Sequence, residues 1–211
     1  MYIPEHFRVR DQETAVAFMR ANPFAILISQ TPEGPFATHL PLAVHPEGER
    51  VTLRGHVARA NPHWQYLESQ PQAFVIFHGP HAYISTANYL TRENVPTWNY
   101  GAVHVHGEAR VFSEPEQLLP MLHDLIGTFE PRYAEQWAEL REEYRQRMLS
   151  HIVGFEITVT KIEAKLKLSQ NRTKQEQENV ISSLCLSDDT AISGTAQLMR
   201  EQGLGVKNEQ K

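Results

Sequence analysis

The chain has 211 residues, which suits one domain, or one domain with a helical extension, that buries its core without disulfides. Its 41% hydrophobic and 21% charged residues exclude a disordered chain, and its net charge of −5 with histidine neutral excludes an overall attraction to nucleic-acid phosphates. No apolar run approaches the roughly 20 residues that span a bilayer, so we expect no membrane insertion.

The cysteine content and the first residues predict a cytoplasmic protein. The single cysteine, Cys185, cannot form an intramolecular disulfide. The opening Met1–His6 has neither the basic start nor the apolar run of an export signal.

The first half of the chain predicts a helix followed by an antiparallel meander. The helix covers Gln12–Ala21 and is capped by Asp11. Strands separated by Pro- and Gly-containing turns are predicted over residues 24–30, 36–44 and 50–57. Asn61 and Pro62 open a short helix through Ser69, and a strand over 73–77 continues the sheet through 81–84.

The second half predicts two further strands and several helices. After a loop over 85–96, a strand covers 98–112, helices cover 113–129 (with Ser113 and Glu116 as a capping box) and 133–148, and a strand covers 153–168. Thr173 and Glu176 form a second capping box that opens a helical tail. Six or seven strands with frequent turns predict a mainly β protein, a small barrel with peripheral helices.

We predict a barrel domain over residues 1–168, with a helical insertion at about 113–149. Residues 169–211 form a helical tail packed on the barrel, and its end, Val206–Lys211, is expected to fray.

Three polar strings lie at strand ends, where a barrel mouth or an interface collects ligand groups: residues 37–42, 54–64 and 95–100. Arg59 precedes the Asn61-Pro62 helix start, which favours an anion such as phosphate. The alternative is that Asn61 only caps the helix and Arg59 is a solvated charge. Trp98 beside Asn99 offers a planar ring a stacking surface, although Trp98 taken alone is more often a core residue.

His104, His106 and Glu108 share one strand face, and side chains at this spacing can converge on a metal ion. Glu108 lies only two residues after His106, whereas metal-binding barrels with a His-x-His pair place the carboxylate several residues further on. No third ligand is evident either, so we predict no metal. The chain also lacks a dinucleotide or Walker glycine loop, a Gly-x-Ser-x-Gly elbow, a paired-cysteine zinc pattern and a basic recognition helix.

Taken together, these strings resemble the FMN-binding negative transcriptional regulators of the PaiB type. The resemblance rests on residues 1–7, 37–42, 55–64, 79–85, 95–105, 154–157 and 165–172. That family is similar to the flavin-binding split barrels that include pyridoxamine phosphate oxidases. The resemblance therefore implies an FMN-binding split β-barrel and a homodimer with two FMN sites at the subunit interface.

The resemblance also implies which residues bind FMN. The strand over 35–44 lays its backbone along the isoalloxazine ring, the turn over 58–60 holds the phosphate, and Trp98 with Asn99 reaches the flavin from the partner subunit. The string over 167–171 approaches the open face of the ring. The implied cofactor residues are Thr38, His39, Leu40, His56, Arg59, Ala60, Asn61, Trp98 and Asn99.

One departure concerns the ligand pocket. Where the family usually has a tryptophan, this chain has Asn88, which implies a more open pocket and leaves the identity of any small-molecule ligand undecided.

Three functions remain open, and no catalytic residue is assigned. The first is a regulator, although the charge balance and the lack of a recognition helix argue against direct DNA binding. The second is an FMN-dependent oxidoreductase acting on a small molecule. The third is a non-catalytic flavin- or haem-binding protein.

Overall fold

A computed structural model describes residues 1–205 of the chain, which form two compact units. Unit 1 comprises Met1–Asp11, His78–Val103 and the chain from Glu163 onward. Unit 2 comprises Gln12–Phe77 and His104–Ile162. The segment predicted to fray, Val206–Lys211, lies outside the described residues.

Strands and helices alternate along the described residues. The strands are β1 (Arg8–Val9), β2 (Phe24–Thr31), β3 (Gly34–Pro41), β4 (Ala43–Glu47), β5 (Arg50–Ala58), β6 (Gln72–Ile84), β7 (Thr97–Phe112) and β8 (Ile152–Lys167). The α-helices are α1 (Gln12–Ala21), α2 (His63–Ser69), α3 (Pro115–Phe129), α4 (Tyr133–Glu139), α5 (Glu142–Leu149), α6 (Lys174–Cys185) and α7 (Thr190–Glu201). Short 3₁₀ helices cover Glu5–Phe7 and Thr86–Asn88. Among the described helices, none combines the length and the apolar composition that a bilayer crossing requires.

The strands form an eight-stranded sheet in the order β3-β2-β6-β7-β8-β5-β4, with β1 paired to β8. The pairing is antiparallel: Leu27 of β2 lies opposite Thr38 of β3, and Leu53 of β5 lies opposite Ile157 of β8. The predicted mainly β architecture with peripheral helices is confirmed.

Two predicted elements are each divided in the structure. The strand predicted over 36–44 is wrong, because it separates into β3 and β4 at Leu42. Pro41 has no N–H with which to extend the ladder, and Leu42 is buried against Gly55, where an added Cβ would lie 2.6 Å from Leu42 Cδ2. The single helix predicted over 133–148 is also wrong. Leu140 and Arg141 take extended backbone angles, with ψ of 139° and 141°, and separate α4 from α5.

The two predicted capping boxes have different outcomes. Helix α3 has Glu114 at its cap position, without a side-chain cap bond, and Pro115 in its first turn. The predicted cap at Ser113 is therefore wrong, because proline fits the first helical position and sets the start there. The capping box of Thr173 and Glu176 at the start of α6 is confirmed.

The core of unit 2 occupies both faces of the β5–β8 pair. On one face Leu53, Phe155 and Ile157 are fully buried. On the other face α3 approaches β8 closely, since a Cβ at Gly154 would lie 2.4 Å from Phe112 and 2.9 Å from Leu118. A cluster of buried apolar side chains continues there, comprising Ala43, Phe112, Leu118, Met121, Leu125 and Leu149.

In unit 1 the predicted tail consists of α6 and α7. Their buried apolar side chains include Val180, Ile181, Leu184, Ala196 and Met199. The predicted boundary between barrel and tail at residue 168 stays a prediction.

Candidate functional site

The nine predicted cofactor residues are divided between the two compact units. Seven of them, from Thr38 to Asn61, belong to unit 2. Trp98 and Asn99, near the start of β7, belong to unit 1.

The predicted ring-contacting strand is β3, which ends the strand order and pairs with β2. Its side chains alternate, as the strand period requires. Leu40 is buried, Thr38 is half-buried, and His39 is exposed beside the Phe24 ring, with 6.4 Å between the ring centroids. Only His39 of these three therefore presents a side chain outward.

Thr38 and Asn61 are brought together in a hydrogen-bonded network around His63. Asn61 Nδ2 lies 3.2 Å from Thr38 Oγ1, and Asn61 Oδ1 accepts from the backbone N–H of His63 at 3.0 Å. His63 is fully buried, with Nδ1 2.7 Å from Thr38 Oγ1 and Nε2 3.1 Å from Ser29 Oγ. Burial lowers the pKa of His63 to about 4, so the network holds a neutral imidazole.

His63 is a site residue that the sequence analysis missed. The available signal was the position of His63 in the first turn of α2, directly after Asn61-Pro62. Because Asn61 bonds Thr38 of β3, the first turn of α2 faces that strand. The network fixes the start of α2 against β3 and so positions the turn over 58–60.

Arg59, the predicted phosphate ligand, lies exposed in that turn. Its Nε donates to Ser150 O at 2.7 Å and its Nη2 donates to Ile152 O at 3.1 Å, just after the end of α5. Within residues 1–205 these bonds leave Nη1 as the guanidinium nitrogen without a protein acceptor. Trp64 Nε1 donates to Arg59 O at 3.0 Å, and Ala60 is exposed. The turn is therefore held rigidly while one edge of a cation faces outward.

His56 lies on the face of β5 that carries its partner Gly154, the face that α3 covers. Burial lowers the pKa of His56. Its Nδ1 is buried and has no hydrogen-bond partner among the described residues. A buried polar atom of this kind costs free energy unless a ligand or water satisfies it.

Trp98 and Asn99 differ sharply in exposure. Trp98 is 52% exposed and is flanked by Tyr83 and His81, whose ring centroids lie 5.9 and 6.1 Å from its own. Asn99 is fully buried, and its amide exchanges hydrogen bonds of 3.0 and 3.1 Å with the hydroxyl of Ser169. The indole is available for stacking, whereas the Asn99 amide is occupied within unit 1.

Asn88, the departure from the family pattern, lies in the 3₁₀ helix Thr86–Asn88. Its Nδ2 donates to Ser85 O at 3.2 Å, and its carbonyl accepts from Asn179 Nδ2 of α6 at 3.2 Å. The Asn88 side chain thus bonds within its own turn, the contact with α6 uses only its backbone, and the more open pocket stays a prediction.

The histidines considered as metal ligands contact an aromatic ring. His104 and His106 lie 5.1 and 4.8 Å from the Phe74 ring, centroid to centroid. Over residues 1–205, no three His, Cys, Asp or Glu side chains are grouped so that they could hold a metal ion.

Comparison with known proteins gives a family and a fold. A family model described as "Putative FMN-binding domain" matches residues 1–161. The Bacillus subtilis (strain 168) "Protease synthase and sporulation protein PAI 2" is 37% identical over 204 residues, which cover 96% of this chain and 98% of that protein.

Two solved structures share the fold at low sequence identity. The flavocytochrome Anf3 from Azotobacter vinelandii has a TM-score of 0.57 and 20% identity over 82% of this chain and 73% of its own. The FAD and heme binding protein from Mycobacterium smegmatis has a TM-score of 0.55 and 15% identity over 76% of this chain and 73% of its own. The predicted split-barrel fold is confirmed.

The residues present fit FMN. An exposed guanidinium edge at Arg59 suits a phosphate, the exposed Trp98 ring suits a planar heterocycle, and the unpartnered Nδ1 of His56 suits a polar ligand atom. In each of the two units, therefore, at least one predicted residue has chemistry that a flavin requires.

Proposed function

Since this chain belongs to the FMN-binding domain family and its cofactor is FMN, we propose that it is a homodimeric regulatory flavoprotein that does not itself read DNA sequence. The observation that carries the proposal is the match to PAI 2 along nearly the whole of both chains. The name of that relative refers to protease synthase and sporulation, which favours a regulatory role over the oxidoreductase alternative.

We propose that the exposed members of the predicted set contact FMN. In this arrangement Arg59 and Ala60 receive the phosphate, His39 and the backbone of β3 follow the ring, and Trp98 of the second subunit stacks on it. When bound, FMN supplies a planar ring that accepts and returns electrons.

The buried members position these contacts. Thr38 and Asn61 hold the turn that carries Arg59 through the His63 network, and Leu40 anchors β3 in the core. Asn99 holds the start of β7, which carries Trp98, through its bonds to Ser169. Such positioning limits the entropy lost when the cofactor binds.

The exposed apolar side chains of unit 1 support the homodimer. Tyr83 and Trp98 are 53% and 52% exposed and contact each other, and Val95 nearby in sequence is 73% exposed. Aromatic residues are enriched in the buried centres of protein interfaces. A second copy of the chain that covers Trp98 would remove this apolar surface from water.

Light scattering at micromolar concentration is expected to report about twice the 24.2 kDa chain mass. Tyr83→Lys should shift the protein toward monomer, because it would place a charge in the proposed interface. Phe129→Lys is the matched control, since Phe129 is 42% exposed in unit 2 and should tolerate the charge. A monomeric wild type that binds FMN tightly would refute the interface.

The charges of the helices argue against sequence-specific DNA reading. Within residues 1–205 no α-helix contains more lysine and arginine than aspartate and glutamate. A recognition helix needs the opposite balance to approach phosphates. The regulatory role would therefore act through the bound flavin or through another protein.

In a gel shift at physiological salt, the isolated FMN-loaded protein should retain a promoter fragment only weakly and no better than a scrambled fragment. Both complexes should disappear as salt is raised, because only non-specific phosphate contacts would hold them. Nanomolar retention of the promoter fragment alone would contradict the proposal and reveal a DNA-reading surface.

A further inference from the structure

Unit 1 contains a pocket of about 230 Å³, whose wall includes Asn99 and part of the 167–171 string that the resemblance places at the open face of the flavin ring. Its wall combines Phe7 of the N-terminal 3₁₀ helix, Tyr89, the first residues of β7, and residues between Lys167 at the end of β8 and Arg172. This volume is large enough for several water molecules or a small organic ligand.

Two cations line the pocket, whereas no Asp or Glu of the described chain does. Lys167 Nζ donates to Trp98 O at 2.5 Å and to the Thr97 hydroxyl. Arg172 Nη1 donates to Asn94 Oδ1 at 2.6 Å, and its guanidinium lies 3.9 Å from the centroid of the Tyr89 ring. Both side chains are thus oriented by neutral groups; the charge of Arg172 also interacts with Glu176 of α6, which lies outside the pocket wall.

The electrostatics of the pocket favour an anion. Burial, together with the charges of Lys165 and Arg172, lowers the pKa of Lys167. Lys165 is itself buried and has its Nζ 5.1 Å from the centroid of the Tyr100 ring. A bound negative charge would offset the repulsion among these three cations.

A second, independent feature points to a polar ligand. Tyr89 is 8% exposed, and its hydroxyl is buried without a hydrogen-bond partner in residues 1–205. Buried hydroxyls are normally satisfied by protein, water or ligand. Tyr89 also lines the pocket, so within the proposed site its hydroxyl would donate to the bound group.

Part of the remaining wall is apolar, since Phe7, Val95 and Pro96 contribute to it beside polar residues. A bare inorganic anion would leave this surface without a partner, whereas an organic acid would cover it. We propose that the pocket binds a small organic carboxylate, whose carboxylate lies between Lys167 and Arg172 and whose apolar body contacts Phe7. This proposal does not depend on the proposed regulatory function.

Calorimetric titration of the FMN-loaded full chain with benzoate tests the proposal. Benzoate is expected to bind with a Kd below about 1 mM, and the neutral isostere benzamide should bind at least about tenfold more weakly. Lys167→Met and Arg172→Gln should each weaken benzoate by about tenfold or more. Arg200→Gln is the matched control, because Arg200 is exposed on α7 in the same unit and lies outside the pocket wall.

Tyr89→Phe removes only the orphaned hydroxyl, so it remains informative if a charge variant does not fold. It should weaken benzoate severalfold and leave benzamide binding little changed. Equal binding of benzoate and benzamide to the wild type would overturn the proposal. So would tighter binding of inorganic phosphate than of benzoate, or a parallel loss of FMN affinity in Lys167→Met, which would make the pocket part of the flavin site.

Discussion

Replacing Arg59 by alanine is expected to weaken FMN binding about ten- to a hundredfold while leaving riboflavin binding nearly unchanged. A charge-assisted contact between a guanidinium and a phosphate contributes roughly 1.5 to 3 kcal/mol, and riboflavin has the ring without the phosphate. Trp98→Ala should weaken both ligands, because it removes stacking on the ring that they share. Fluorescence titration of both flavins against both variants measures these effects.

The structure adds a stability cost to Arg59→Ala. The variant loses the bonds to Ser150 O and Ile152 O, so its free energy of unfolding should fall by about 1 to 3 kcal/mol. Affinities are therefore compared well below the melting temperature. Arg50→Ala, an exposed arginine at the start of β5, is the control and should leave FMN affinity unchanged. If Arg59→Ala weakens riboflavin as much as FMN, the phosphate contact lies elsewhere.

Acidification is expected to destabilise the protein through His63. The folded pKa of about 4 lies below the ordinary value of 6.5, so the unfolded chain takes up this proton first as the pH falls. Stability from the neutral imidazole is complete above about pH 6.5 and is lost progressively as the pH falls toward 4. At about 1.4 kcal/mol per pH unit, the loss amounts to about 3 kcal/mol.

Urea unfolding at several pH values measures this dependence, and variants separate His63 from other titrating groups. His63→Gln should be less stable than wild type at pH 7, because it loses contacts to Thr38 and Ser29, but its stability should fall less steeply between pH 6.5 and 4. His151→Gln, at an exposed position, should keep the wild-type slope. Equal slopes in wild type and His63→Gln would show that His63 is not the group responsible.

Local sequence patterns predicted the elements whose ends are set by local chemistry. Helix α1 covers the predicted Gln12–Ala21, and the capping box of Thr173 and Glu176 opens α6, because both depend on residues within one turn. The break between α4 and α5 was not predictable, since Leu140 and Arg141 carry no glycine or proline signal. The division at Leu42 depended on burial against Gly55, which periodicity does not contain.

The candidate site shows the same limit. The sequence singled out Thr38, Arg59 and Asn61, but not that His63 would join two of them or that Arg59 would bond Ser150 O, 91 residues away. It predicted a stacking surface at Trp98 beside Asn99, but not that the Asn99 amide would be bound by Ser169, 70 residues away. Local sequence patterns contain no information about hydrogen-bond partners at such separations along the chain.

By itself the sequence determined the family, the mainly β architecture and the polar strings. Motifs and strand periodicity depend only on residues that are close together in the sequence. Only the tertiary structure decided which of those polar groups are used internally and which remain available. It buried the Asn99 amide and the His63 imidazole, and it gathered Lys167, Arg172 and Tyr89 in the wall of one pocket. The physical reason is that burial and hydrogen-bond satisfaction are set by contacts between distant segments, which exist only once the chain has folded.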